Sequence, residues 1–184
     1  GEAFTAFYRL SVHGGEAVEA FRIPLAVEAI RPLAGDTFAV LARWGKDCNP
    51  EEPGEKQDYQ VLEEMPFWQN GEGFANGKRQ RLFLYHSSRD TLEAVSAEDE
   101  DVEEFRVGPQ GRLAYSVSHH REGILSDRQS LWEYRPEAGA PQMLLEDKLY
   151  LHQFDYWGER LVVAGSEGSR YGLMENATLY LWDH

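Results

Sequence analysis

Residues 81–86 read RLFLYH, and the chain repeats this pattern as SLWEYR at 130–135 and TLYLWD at 178–183. Each copy has the order leucine, aromatic, any residue, aromatic, and such residues favour a β-strand. The leading leucines lie 49 and 48 residues apart. A period of roughly 40–50 residues that carries several short strands is the spacing of β-propeller blades. The repeat therefore predicts an all-β chain, a partial β-propeller of about three four-stranded antiparallel blades.

The composition is that of an acidic globular chain. Its 184 residues are 42% hydrophobic and 12% aromatic, with a formal net charge of -14. This charge opposes binding to nucleic acid and to anionic membranes, because both need a basic surface, so neither is predicted as a partner. The single cysteine, Cys48, cannot form an intrachain disulfide, which favours a reducing, cytoplasmic location.

The repeat also predicts how the chain divides. We expect one propeller fragment over residues 1–184 that begins and ends within a blade. Its expected parts are a partial blade at 1–26, a blade at 27–97 with an insertion at 45–80, a blade at 98–147 and a partial blade at 148–184. Propellers need about four to eight blades to close. We therefore expect a piece of a longer protein or of an assembly, with open blade edges that favour self-association.

The blade at 98–147 has the clearest pattern. A turn with Pro109 and Gly111 follows its first strand, because proline fixes φ and glycine accepts positive φ. The remaining expectations are a second strand at 112–118, a polar connection at 119–129, a third strand at 130–135, a short fourth strand at 142–145, and the first strand of the next unit at 151–156.

The insertion departs from the repeat and is the predicted functional segment, since long loops on a rigid scaffold often carry function. Residues 47–56 are charged and rich in proline and glycine, which predicts a mobile loop. Residues 58–68 alternate like a strand, and 70–77 form a glycine-rich hairpin tip.

Two stretches carry a family resemblance. The segment VGPQGRLAY at 107–115 resembles the hairpin of TolB-type propellers and of prolyl oligopeptidase family propellers, with Gly108 and Gln110 in place of the usual serine and aspartate. The segment MPFWQNGEGF at 65–74, followed by KRQRLFLY at 78–85, is similar to acylaminoacyl-peptidase-like and dipeptidyl aminopeptidase-like members.

The resemblance implies a function. In that family the propeller precedes an α/β-hydrolase domain of the same chain and restricts its active site to short or acylated peptides. The implied partners are that hydrolase domain and a peptide substrate, and the serine triad belongs to the hydrolase domain. The alternatives are a non-enzymatic TolB-type or WD-like interaction scaffold and a propeller that binds carbohydrate or another small ligand.

No catalytic residue is predicted in this chain. A nucleophile elbow needs Gly-x-Ser-x-Gly on a strand-to-helix turn, and AGSEG at 164–168 lacks the first glycine. The HGG at 13–15 imitates an oxyanion-hole motif, but its alternating flanks predict a hairpin turn. No cofactor and no metal are predicted, because the spacing of His119, His120 and His152 matches no usual ligand pattern.

Five residues of the insertion are candidate substrate-binding residues. By resemblance to dipeptidyl peptidases, Glu63 and Glu64 are candidates for binding a free amino terminus. Adjacent strand residues face opposite ways, so at most one would reach the ligand on a strand, and exposed charge before a turn is the alternative. Phe67, Trp68 and Phe74 are candidates for an apolar channel wall, with packing against their own blade as the alternative.

Overall fold

The computed structural model describes residues 4–45, 62–66, 68–69, 73–74 and 77–182, with only the backbone of 68–69 and 73–74. This part of the chain contains no α-helix, and its strand pairs are antiparallel apart from one isolated bridge. The strands are β1 (Thr5–Arg9), β2 (Val18–Ile23), β3 (Ala26–Pro32), β4 (Thr37–Trp44), β5 (Trp68–Gln69), β6 (Gly73–Phe74), β7 (Arg79–His86), β8 (Thr91–Ala94), β9 (Asp101–Val107), β10 (Leu113–Arg121), β11 (Ile124–Tyr134), β12 (Pro141–Trp157), β13 (Arg160–Ser166) and β14 (Thr178–Trp182).

The sheets confirm the predicted partial propeller. Strands β3, β4, β7 and β8 form one four-stranded meander, and β9, β10, β11 and β12 begin a second, which β12 continues into β13 and β14. The β1–β2 hairpin is a separate two-stranded sheet. The three repeated segments lie in β7, β11 and β14, each the third strand of its unit.

The strands β4, β7 and β10 are buried on both faces by neighbouring sheets. Leu82 and Leu84 of β7 pack with residues of β9 and β10, whereas Phe83 and Tyr85 pack toward the β1–β2 hairpin. This follows from the period of two along a strand. A third core, which includes Leu131 and Phe154, joins the second meander to β13. Face-to-face packing of successive sheets is the propeller arrangement.

The two strands expected on either side of the boundary between units are one continuous strand. The expected short strands at 142–145 and 151–156 are parts of the single 17-residue strand β12. Leu149 pairs with Gln129 of β11, and the next residue, Tyr150, pairs with Ser166 of β13. No glycine or proline interrupts residues 142–157, so the backbone remains extended while its pairing partner changes.

The predicted polar connection at 119–129 is also wrong. Strands β10 and β11 extend through it and are joined by Glu122 and Gly123 alone. Both residues have positive φ, 50° and 77°, as a two-residue hairpin turn with the twist of its strands requires. A hairpin is held by backbone hydrogen bonds, which polar side chains do not prevent.

The Tyr156 ring explains why residue 108 is glycine instead of the serine of the family pattern. A Cβ atom there would lie 2.6 Å from ring atoms of Tyr156, so a serine does not fit without displacing the ring. The Tyr156 hydroxyl donates a hydrogen bond to Glu133 Oε1 at 2.8 Å. The predicted turn that follows is confirmed, with Gln110 and Gly111 at φ 60° and 77°.

Met65 of the insertion contacts the β10–β11 turn at 122–123 through backbone hydrogen bonds. The face of the fold that carries this turn is here called the insertion face. The insertion begins and ends on neighbouring strands, because Trp44 at the end of β4 pairs with Arg79 at the start of β7.

Candidate functional site

The candidate site is the place where the insertion meets the next blade. Of the predicted site residues, Glu63 and Glu64 lie in the described segment Leu62–Pro66, called the strap below. Trp68 and Phe74 pair with each other across the two short strands β5 and β6. Phe67 and the loop at 47–56 lie outside the described residues, so the channel wall and the mobile loop stay predictions.

Glu64 forms the centre of this site. Its Oε2 accepts hydrogen bonds from Arg79 Nη1 at 2.9 Å and from the backbone N–H of Gly77 at 3.0 Å. Its Oε1 accepts a second, shorter bond from Arg79 Nη2. This bidentate pair is the strong geometry for arginine and carboxylate. The hydrogen bonds from Arg79 lower the pKa of Glu64 to about 2.

The strap then attaches to the β10–β11 hairpin through its backbone. The Met65 N–H donates to the Gly123 carbonyl at 2.6 Å, and the Leu125 N–H donates to the Met65 carbonyl at 2.9 Å. Gly123 is required twice, because it has positive φ and because a Cβ would lie 2.5 Å from the Glu63 carbonyl oxygen. The insertion is thus fixed to two blades.

Charged side chains of the neighbouring strands surround this attachment. Asp101 of β9 accepts a hydrogen bond from the Gln80 N–H at 2.8 Å, and burial raises its pKa. Burial, followed by the charge of Arg79, lowers the pKa of His120 of β10. The sequence pattern does not identify Arg79 and His120 as residues of this site. The basic start of β7 was the available signal, but nothing in the sequence links it to Glu64.

The site is suited to holding the insertion. An ammonium ligand would compete with Arg79 for Glu64, and the amine-binding role of Glu63 and Glu64 stays a prediction. Ser166 of the AGSEG segment is buried at the end of β13, away from any strand-to-helix turn. The HGG prediction is confirmed, since Gly14 and Gly15 lie in the hairpin turn with positive φ.

Acid is expected to remove the stabilisation that Glu64 provides. A carboxyl group whose pKa is lower in the folded than in the unfolded protein stabilises the fold at pH values above its unfolded-state pKa. This stabilisation is lost as the pH falls through the folded-state pKa. For Glu64 the window runs from the ordinary 4.5 down to about 2. The difference in unfolding free energy between wild type and Glu64→Gln, measured in urea, should therefore shrink from pH 6 to pH 3. The exposed Glu98→Gln variant is the control, and a constant difference for Glu64→Gln would contradict the ion pair.

The described segments include no helix of the length and apolarity needed to cross a bilayer. The sequence matches no protein-family model and no curated protein.

The fold is that of a β-propeller arc, and solved structures of peptidases resemble it. Acylaminoacyl peptidase of Pyrococcus horikoshii superposes with a TM-score of 0.66 at 16% identity, over 98% of this chain and 29% of that chain. A complex of acylaminoacyl peptidase with Z-Gly-Gly-Phe-chloromethyl ketone gives 0.65 at 16% identity, with the same coverage. The β-propeller domain of the Trilobed protease from Pyrococcus furiosus gives 0.50 at 13% identity, over 86% of this chain and 39% of that domain.

The predicted resemblance to peptidase propellers is thus confirmed at the level of the fold. This chain spans 29% of the length of the acylaminoacyl peptidases that it resembles.

Proposed function

We propose that this chain is the propeller portion of a serine peptidase and limits which substrates reach a separate α/β-hydrolase domain. The observation that carries the proposal is the superposition of 98% of the chain on acylaminoacyl peptidase. In this proposal the hydrolase domain of the same polypeptide supplies the nucleophile, and the substrates are short or acylated peptides. The lone Cys48 supports a cytoplasmic location.

The fixed base of the insertion supports a role in substrate selection. A selective opening needs walls whose positions are defined, and side chains held by packing and hydrogen bonds provide this. The Glu64–Arg79 pair and the Met65 bridge hold the strap at the insertion face. Phe67, Trp68 and Phe74 are the proposed apolar wall. Glu63 or Glu64 is the proposed contact for a substrate amine.

The test compares substrate lengths in the longer protein to which the proposal assigns this chain. The wild type should hydrolyse an acylated dipeptide with a much higher kcat/KM than a long peptide with the same acylated end. Arg79→Gln breaks the ion pair that holds the strap. It should lower the ratio of kcat/KM for the acylated dipeptide to kcat/KM for the long peptide. Arg22→Gln removes an exposed ion pair and is the control.

An unchanged ratio in Arg79→Gln would reject gating by the insertion. Absence of peptidase activity in the longer protein would reject the proposal as a whole and favour the interaction scaffold.

We further propose self-association through open strand edges. Strand β14 contains no charged residue and pairs only with β13 among the described residues, and its Leu179 is 74% exposed. Edge strands without charge or proline recruit other strands. Light scattering of this chain should show a mass that rises with concentration, and Leu179→Lys should reduce the rise. A monomer at all concentrations would contradict the proposal.

A further inference from the structure

A titratable group that the proposed function does not use lies next to the attachment of the strap. It is His120 of β10, two residues before the hairpin turn that the strap contacts. Its Nδ1 atom is buried and has no hydrogen-bond partner within the described part of the chain.

Charged groups face His120 from three packed elements. Glu64 approaches from the strap, Arg79 from β7 and Asp101 from β9, and Arg43 of β4 acts on Asp101. Two of these groups are already engaged, since Glu64 is hydrogen bonded to Arg79 and Asp101 to the Gln80 backbone. A proton on His120 would add a second cation next to Arg79 in a half-buried site.

We propose that the strap is a pH-sensitive latch, which is closed while His120 is neutral and is released when His120 takes up a proton. Burial and the charge of Arg79 both oppose the imidazolium form, and the carboxylates of Glu64 and Asp101 only partly offset them. Release of the strap exposes the ring to water and leaves Arg79 free to move away. Protonation and release are therefore coupled.

The direction of the coupling follows from linkage. The pKa of His120 is lower in the closed state than its ordinary value, so the open state binds the proton more tightly. The closed state is favoured at pH values above the ordinary histidine pKa of about 6.5. At low pH, each unit of difference between the open-state and closed-state pKa changes the opening equilibrium about tenfold. Under the proposed function, on which this regulatory role rests, acid would loosen the insertion at the substrate entrance.

Hydrogen exchange of this chain tests the latch without any peptidase assay. The amides of Met65 and Leu125 donate the two bridging hydrogen bonds, so their protection reports closure. After correction for intrinsic exchange, protection should fall between pH 7.5 and 5.5, by up to about tenfold if the proton binds only in the open state. In His120→Gln it should stay high at both pH values.

His119→Gln is the matched control, because the neighbouring His119 ring contacts Ser130 Oγ at 2.8 Å instead. This variant should keep the pH-dependent loss. Equal protection of the wild type at both pH values, or the same loss in His120→Gln, would overturn the proposal. If His120→Gln does not fold, NMR titration of the His120 ring in the wild type provides the test. A titration midpoint at or above about pH 6.5 would overturn the latch proposal. Neither result depends on whether the longer protein is a peptidase.

Discussion

Replacement of Glu133 by alanine is expected to lower the free energy of unfolding by about 3–5 kcal/mol, the range for removing one partner of a buried charge cluster. Glu133 is 1% exposed. It accepts hydrogen bonds from the Tyr156 hydroxyl at 2.8 Å and from Arg135 Nε at 2.7 Å, and Arg112 Nη1 lies 3.8 Å away. Its loss leaves the buried Arg112 guanidinium and the Tyr156 hydroxyl without this carboxylate.

The control for Glu133→Ala is Glu159→Ala. Glu159 also pairs with Arg112, but its side chain is 65% exposed, and exposed pairs contribute roughly 0–1 kcal/mol. Urea unfolding of both variants, with the slope of the transition compared to confirm the same folded state, measures the two effects. Similar losses for the two variants would contradict the buried network.

Replacement of Phe154 by alanine should cost about 3–5 kcal/mol, as for other buried aromatic side chains. Phe154 is 1% exposed in β12 and packs with Leu131 and Leu161 between the second meander and β13. The Arg106 guanidinium covers its ring at 5.4 Å from the centroid. The cavity would lie at the junction of the two units, so we expect the β13–β14 part to lose protection from hydrogen exchange first.

The same strand offers the control for Phe154→Ala. Trp157 is 68% exposed, and Trp157→Ala should change the unfolding free energy by no more than about 0.5 kcal/mol, as for surface substitutions. Thermal unfolding followed by circular dichroism separates the two cases. A small effect of Phe154→Ala would mean that the last unit does not share a core with the blade before it.

The strands that the sequence predicts well are those with burial on both sides. In β7, alternation sends Leu82 to one neighbouring sheet and Phe83 to the other, so the local pattern already records the tertiary packing. The turn at Pro109 and Gly111 is predictable for a similar reason, since proline fixes φ and glycine accepts positive φ, whereas the positive φ of Gln110 does not follow from its residue type. These features depend only on residues close in the chain.

The sequence does not predict contacts that depend on which strands become neighbours. Glu64 and Arg79 are 15 residues apart and meet only because β4 and β7 pair at the base of the insertion. Met65, in the insertion of one blade, donates a hydrogen bond to Gly123 of the next blade. The extension of β10 and β11 through residues 119–129 is not predictable, because its stability lies in backbone pairing, which leaves no hydrophobic pattern.

The most direct test of the central claim is labelling with a fluorophosphonate, which modifies activated serines. The longer protein and this chain alone are treated in parallel, and the modified residue is located by mass spectrometry. Our account predicts a labelled serine in the longer protein outside residues 1–184 and no label on this chain. No label on the longer protein, or a label within residues 1–184, would contradict the assignment of this chain as the non-catalytic propeller of a serine peptidase.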